Sequence, residues 1–191
     1  ASSSSSVYTA TFTPAADGLT SVNIAAGAFT DASSNSNTAA TEFSWTYNGT
    51  PASVSSVALA SDNSTIAVTM DKAVYSTGGG SGALETTDFS LAIAGGSASL
   101  SSATPSSISA SGNVYTLGIG ITGTPDGSEV VTVNPVSGSI YDAYGNISTN
   151  SQSNNTATLN DKLSPTVSIT AVSSSGDAVS SGSTTNDASI I

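Results

Sequence analysis

Apolar and polar residues alternate along most of this chain. Tyr8, Ala10 and Phe12 alternate with Thr9, Thr11 and Thr13, and Phe43, Trp45 and Tyr47 alternate with Glu42, Ser44 and Thr46. Ile66, Val68 and Met70 follow the same rule against Ala67, Thr69 and Asp71. The longest run holds Tyr115, Leu117, Ile119 and Ile121, and Val131 with Val133 and Val167 with Ile169 complete the pattern. A period of two places one set on a buried face and the other toward water, so each run predicts a strand. Turn residues separate the runs at Asp17-Gly18, Asp62-Asn63, Gly95-Gly96, Ser111-Gly112-Asn113, Asp126-Gly127 and Tyr144-Gly145-Asn146. No window has the spacing of an amphipathic helix. Short strands with regular turns predict an all-β sandwich or barrel.

The chain also repeats itself. Val7-Tyr8 onward aligns with Val114-Tyr115 onward: Tyr8 with Tyr115, Asp17-Gly18 with Asp126-Gly127, Val22 and Ile24 with Val131 and Val133, Asp31 with Asp142, and Asn35 with Asn146. Further on, Pro51 with Val54 matches Pro165 with Val167. The offset grows from about 107 to about 114 residues, the size of an immunoglobulin-like sandwich of ~100 residues. The expected architecture is therefore tandem immunoglobulin-like β-sandwiches. Residues 1–50 are the C-terminal half of one domain, 51–161 a complete domain, and 165–191 the N-terminal strands of a further one. A half-domain exposes its apolar face. Either the polypeptide continues in both directions, or neighbouring subunits complete each other by strand addition. Joining 165–191 to 1–50 leaves a domain roughly 30 residues short of the period, which favours continuation.

Composition removes whole classes of function. Lys72 and Lys162 are the only cationic side chains, against 13 Asp plus Glu, and His, Cys and Arg are absent. The net charge of -11 leaves almost nothing to neutralise phosphates or anionic lipid. Without Cys or His there is no usual zinc, iron–sulfur or haem site and no Ser–His or Cys–His nucleophile. Glu42, Glu85 and Glu129 lie in unrelated parts of the repeat and suggest no glycosidase pair, so the chain is not expected to be an enzyme. No apolar run approaches the ~20 residues of a membrane span. Low charge with abundant Ser, Thr, Gly and Asn suits an extracellular or cell-surface location. The Gly78-Gly79-Gly80-Ser81-Gly82 run lacks the Lys-Ser/Thr of a phosphate loop and reads as a flexible connection. Sequons at Asn48, Asn63, Asn146 and Asn154 are no more than a chain this rich in Ser and Thr produces by chance.

Several segments resemble known families. Thr65–Met70 followed by Asp71-Lys72-Ala73-Val74, then Asp88-Phe89-Ser90-Leu91 and Ile140-Tyr141-Asp142-Ala143-Tyr144-Gly145-Asn146, resemble the bacterial immunoglobulin-like domains of surface-layer and large adhesin proteins. Tyr8–Pro14, Val22–Gly27, Phe29-Thr30-Asp31, Trp45-Thr46-Tyr47 and Pro165–Ile169 resemble a repeat of biofilm-associated surface proteins. The resemblance covers nearly the whole chain. It implies adhesins, surface layers, filaments or phage fibres, and in some members a spacer in a secreted enzyme. One departure stands out: Ser34 replaces the Gly of the usual D-x-x-G-N turn, where a left-handed residue is less comfortable as Ser.

The candidate metal site follows from oxygen chemistry. Asp142 and Asn146 place a carboxylate and an amide four residues apart around a Gly turn, and Asp31 and Asn35 repeat the motif. Calcium takes about six to eight oxygens, several of which one tight loop can supply. The resemblance implies calcium near domain junctions, which brings Asn160 and Asp161 into the candidate set. The alternative is that these Asp and Asn residues make turn hydrogen bonds to the backbone. Asp17, Asp62 and Asp126 read as hairpin turn residues, and Phe43, Trp45 and Tyr47 as sandwich core. The expected function is mechanical: a surface fibre, filament or adhesin stalk whose partners are flanking repeats or further copies, with surface glycans or another cell as possible targets. Two alternatives remain. One is a filament or sheath subunit joined by strand complementation. The other is a carbohydrate-binding or spacer module of a secreted enzyme, for which Tyr75 and Tyr144 are the loop aromatics.

Overall fold

The computed structural model describes residues 7–172, 176 and 178–182. The fold is all-β. Its strands are β1 (Gly18–Val22), β2 (Phe43–Tyr47), β3 (Val54–Leu59), β4 (Thr65–Met70), β5 (Val74–Tyr75), β6 (Phe89–Ala94), β7 (Ser99–Leu100), β8 (Ile108–Ser111), β9 (Val114–Gly118), β10 (Ile121–Thr122), β11 (Val130–Pro135), β12 (Tyr141–Asp142), β13 (Thr156–Thr158), β14 (Ala171–Val172) and β15 (Ala178–Val179). A single 3-10 turn, Thr86–Asp88, is the one helical element among the described residues.

Residues 51–161 form a β-sandwich. One sheet has the order β3-β4-β9-β8 and the other β13-β11-β6, with every pairing antiparallel. The short pairs β5–β12 and β7–β10 lie beside them. Ile66, Val68, Met70, Tyr115 and Leu117 from the first sheet meet Phe89, Leu91, Val131 and Val133 from the second in one buried core. The alternation in the sequence maps directly onto this packing: in β4 and β11 every second residue is buried. Burying a side chain of this size contributes about 1.5–3 kcal/mol, so some ten such residues supply most of the cohesion. The Tyr115 run stops at Gly118 and resumes as β10, because the chain changes sheets there to pair with β7.

Residues 7–48 build the same half again. β1 pairs with β2, Gly18 opposite Tyr47 and Val22 opposite Phe43, as β11 pairs with β13. The strand expected at Tyr8–Thr13 does not form. Its counterpart β9 is held between β4 and β8, and among the described residues this half has no such neighbours to supply the ladder. The expected burial of Phe43, Trp45 and Tyr47 also fails: Phe43 is exposed and the other two are half-buried. Instead Trp45 makes ring contacts with Phe12, edge-on at 5.8 Å, and with Phe43 at 5.7 Å.

The chain divides into two compact units, residues 1–161 and 162–191. The half-repeat therefore shares a unit with the sandwich. In the second unit Val167 and Ile169 are exposed and outside any strand, and β14 pairs with β15. The rest of the strands expected within 165–191 lie outside the described residues.

The two halves predict opposite costs at matching positions. Ile140→Ala, in the closed core, is expected to lower stability by about 2–5 kcal/mol. Phe29→Ala, at the matching position of the open half, is expected to fall within about 0.5 kcal/mol of the parent. Urea unfolding followed by circular dichroism checks both. Equal losses at the two positions would mean that the open half is covered in solution.

Candidate functional site

The loop from Asp142 to Asn146 is built from its carboxylate outward. Asp142 ends β12 and is fully buried. Its Oδ1 accepts the N–H groups of Tyr144 and Asn146, both at 2.9 Å, and its Oδ2 accepts Asn146 Nδ2 at 2.9 Å. The backbone closes the same ring, with Asp142 N–H donating to the Asn146 carbonyl at 3.0 Å and Gly145 N–H to the Asp142 carbonyl at 3.2 Å. Gly145 sits at φ +87°, and a Cβ there would meet the Gly78 carbonyl oxygen at 2.8 Å. Only Gly satisfies both the left-handed backbone and the close approach.

Asp31 and Asn35 repeat this geometry bond for bond. Asp31 Oδ1 accepts from Ser33 and Asn35 N–H at 2.9 Å each, and its Oδ2 accepts Asn35 Nδ2 at 3.0 Å. Ser34 occupies the Gly145 position at φ 69°, so the departure noted in the sequence is absorbed as local strain rather than as a different loop. Antiparallel bridges flank both loops, Thr30 with Ser36 and Tyr141 with Ile147.

In both loops the carboxylate is engaged by donors of its own turn. The Asp142 oxygens face three N–H donors, two on Oδ1 and one on Oδ2, which is the turn hydrogen bonding that the sequence offered as the alternative to a metal. Among the described residues no three acidic side chains come together to share an ion. Asn160 and Asp161, expected to join Asp142 and Asn146, lie at the other end of the sandwich. Asn146 Nδ2 reaches Asn48, before β3, at 3.1 Å. Asn160 bonds to Ala60 and Asn63, after β3. The separation is the length of β3, about 20 Å at ~3.4 Å per residue. The chain enters the domain at one end and leaves at the other, so one domain cannot bring its own entry and exit loops to a common ion.

The Asn63–Asn160 contact is itself a clasp. Asn63 is buried at φ 64°, and its Nδ2 donates to the Asn160 carbonyl at 2.8 Å while its Oδ1 accepts from Asn160 N–H and Nδ2, both at 2.9 Å. The Asn63 sequon is therefore closed to glycosylation in the folded domain. The Gly78–Gly82 run, expected to be flexible, is a bonded turn. Ser76 N–H donates to the Gly82 carbonyl and Thr77 N–H to the Ser81 carbonyl, each at 3.2 Å, and Gly78 and Gly80 pack on the Asp142 loop. Tyr75 lies in β5 opposite Tyr141, half-buried, so of the two loop aromatics only Tyr144 is exposed in a loop.

Sequence reasoning missed Glu129. It is fully buried beside β11. Its Oε1 accepts the N–H groups of Ala98 at 3.0 Å and Ser97 at 3.1 Å, and its Oε2 that of Asp126 at 3.1 Å. A Cβ on Gly96 would collide with this carboxylate. The signal was Gly95-Gly96, which read as a turn alone. The Ala98 N–H, with those of Asp126 and Ser97, holds the Glu129 carboxyl below its usual range against the opposing effect of burial. Burial alone would raise the Asp142 carboxyl, but the Asn146 amide and N–H, the Tyr144 N–H and the Lys72 charge together lower it.

The chain matches no family model, no curated protein and no solved structure.

Both lowered carboxyls predict the same acid response. A group whose folded pKa is depressed contributes stability above its unfolded value, about 4 for these residues, and that contribution is lost as pH falls through the folded value. The melting temperature is expected to drop as the pH is taken below about 4. In Asp142→Asn, which cannot ionise, the drop should be shallower than in the parent. Gly145→Ala should cost about 1–3 kcal/mol from its backbone conformation alone; an unchanged melting temperature would contradict the close packing against Gly78.

Proposed function

We propose that this chain is a structural stretch of an extracellular repeat protein, a surface fibre, filament or adhesin stalk made of tandem immunoglobulin-like sandwiches. One observation carries the reading: the same half-sandwich occurs twice, bond for bond at the Asp31 and Asp142 loops, and only the second is covered. Ile140 and Val133 are 0% exposed and Tyr115 7%, whereas their counterparts Phe29, Ile24 and Tyr8 are 60%, 46% and 75% exposed. An apolar face of this kind calls for a complementary half with the pattern of residues 51–113, as adjoining repeat sequence supplies. The carboxylates are spent on backbone N–H groups inside turns, which is the work of a scaffold rather than of a reacting site. A high negative charge with few cations keeps such a fibre soluble and self-repelling.

Antibodies to this chain, applied to intact cells that make it, test the reading. Labelling of the outer surface is expected; labelling only after permeabilisation would sink it. The same open face favours one other reading, a subunit joined to its copies by strand complementation. That reading predicts concentration-dependent assembly of the isolated chain in sedimentation velocity.

A further inference from the structure

The linker between the half-repeat and the complete domain is gripped from both sides. From the preceding half, Asp17 Oδ1 accepts the Gly49 N–H at 2.6 Å and its Oδ2 accepts the Thr50 hydroxyl at 2.5 Å. From the complete domain, Lys72 Nζ donates to the Thr50 carbonyl at 2.9 Å and Asn146 Nδ2 to the Asn48 carbonyl at 3.1 Å. Pro51 follows at once and restricts the backbone of Thr50. Three consecutive residues are thus held by three side chains from two repeats.

The chemistry of the linker is that of a cation seat. Thr50 offers a carbonyl, and the charge of Lys72 lowers the pKa of two carboxyls from different repeats, Asp17 and Asp142, though hydrogen bonds are the larger cause in each. The group that occupies the seat is the ammonium of Lys72, a half-buried residue in the turn between β4 and β5. It is one of only two cationic side chains in a chain of net charge -11. A lysine ammonium is a compact point charge with three donors, suited to gathering oxygens from several directions.

We propose that the Asp142-loop end of the sandwich is a socket for the exit segment of the preceding repeat, in which Lys72 serves as the resident cation, so that the angle between the repeats is fixed without calcium. This rests on the reading of the chain as a repeat stalk, yet its test is independent of where the protein resides. A single exposed ion pair is worth little. Four contacts on three residues next to a proline act together, and removing the Lys72 ammonium leaves the Thr50 carbonyl without its donor and takes away the positive charge that acts on both Asp17 and Asp142. The partner this socket accepts is a repeat that ends in the Asn48-Gly49-Thr50-Pro51 pattern and carries an acidic turn at the Asp17 position.

The chain has no Cys, so Ser21→Cys and Ser109→Cys, both at exposed strand positions, place one spin label on each side of the linker in the full chain. Electron–electron double resonance is expected to give one narrow distance, the same in millimolar calcium and in EDTA. Lys72→Met is expected to broaden it and to make it respond to calcium, while Lys72→Arg keeps it narrow. Asp17→Asn tests the other side of the socket should Lys72→Met unfold, and is also expected to broaden the distance. An unchanged distribution in both Lys72→Met and Asp17→Asn, or narrowing of the parent by calcium, would overturn the proposal.

Discussion

A sheet with one apolar face has to be covered, and everything in this molecule follows from whether it is. Residues 7–48 and 114–160 share an Asp-Gly turn, an antiparallel strand pair and a carboxylate loop of the same hydrogen bonding. In the second copy β4 and β8 flank β9, the face closes, and alternation becomes burial. In the first copy no such strands are present among the described residues. The ladder at Tyr8–Thr13 does not form, and the aromatic residues gather on one another around Trp45. The two copies differ less in their local chemistry than in what covers them. Local hydrogen bonding therefore sets the loops, and long-range packing sets the strands.

The handling of negative charge is equally consistent. Asp31, Asp126, Asp142 and Glu129 all turn their carboxylates onto backbone N–H groups. Each bond to an ionised acceptor is stronger than a neutral one, and each satisfies a donor that a tight turn would otherwise leave bare. Loops built this way need no metal to hold their shape. The cost is sensitivity to acid, since protonation removes the acceptor on which the turn closes.

The division between local and non-local also explains what the sequence made legible. Asp142 with Asn146 and Asp31 with Asn35 were found as pairs because four residues and a turn determine their contact. The strands β4, β9 and β11 were legible because alternation alone marks them. The placement of Asn160 and Asp161 was not, since their distance from Asp142 depends on the path of the whole domain. Burial of Phe43 and a strand at Tyr8 were expected from a pattern that holds only when a partner sheet is present. Glu129 was hidden for a related reason: its donors at Ser97 and Ala98 lie some thirty residues away in sequence, and a glycine pair is the only local trace of that approach.

The path of the chain gives the mechanical consequence. The chain enters the sandwich beside the Asp142 loop and leaves beside Asn160, at opposite ends of β3 (Val54–Leu59). The first strand is tied at its start by Val54 N–H to Gln152 Oε1 at 2.7 Å, and beyond its end the Asn63–Asn160 clasp joins the β3–β4 turn to the exit strand. In the proposed stalk, a pull along the chain would load these ties together with the β3–β4 ladder. Neutral amide bonds suit that position better than ion pairs, because salt does not screen them. In that reading the resistance of a repeat would reside in bonds between its first and last segments. The linker between the half-repeat and the sandwich is held by Asp17 on one side and by Lys72 and Asn146 on the other.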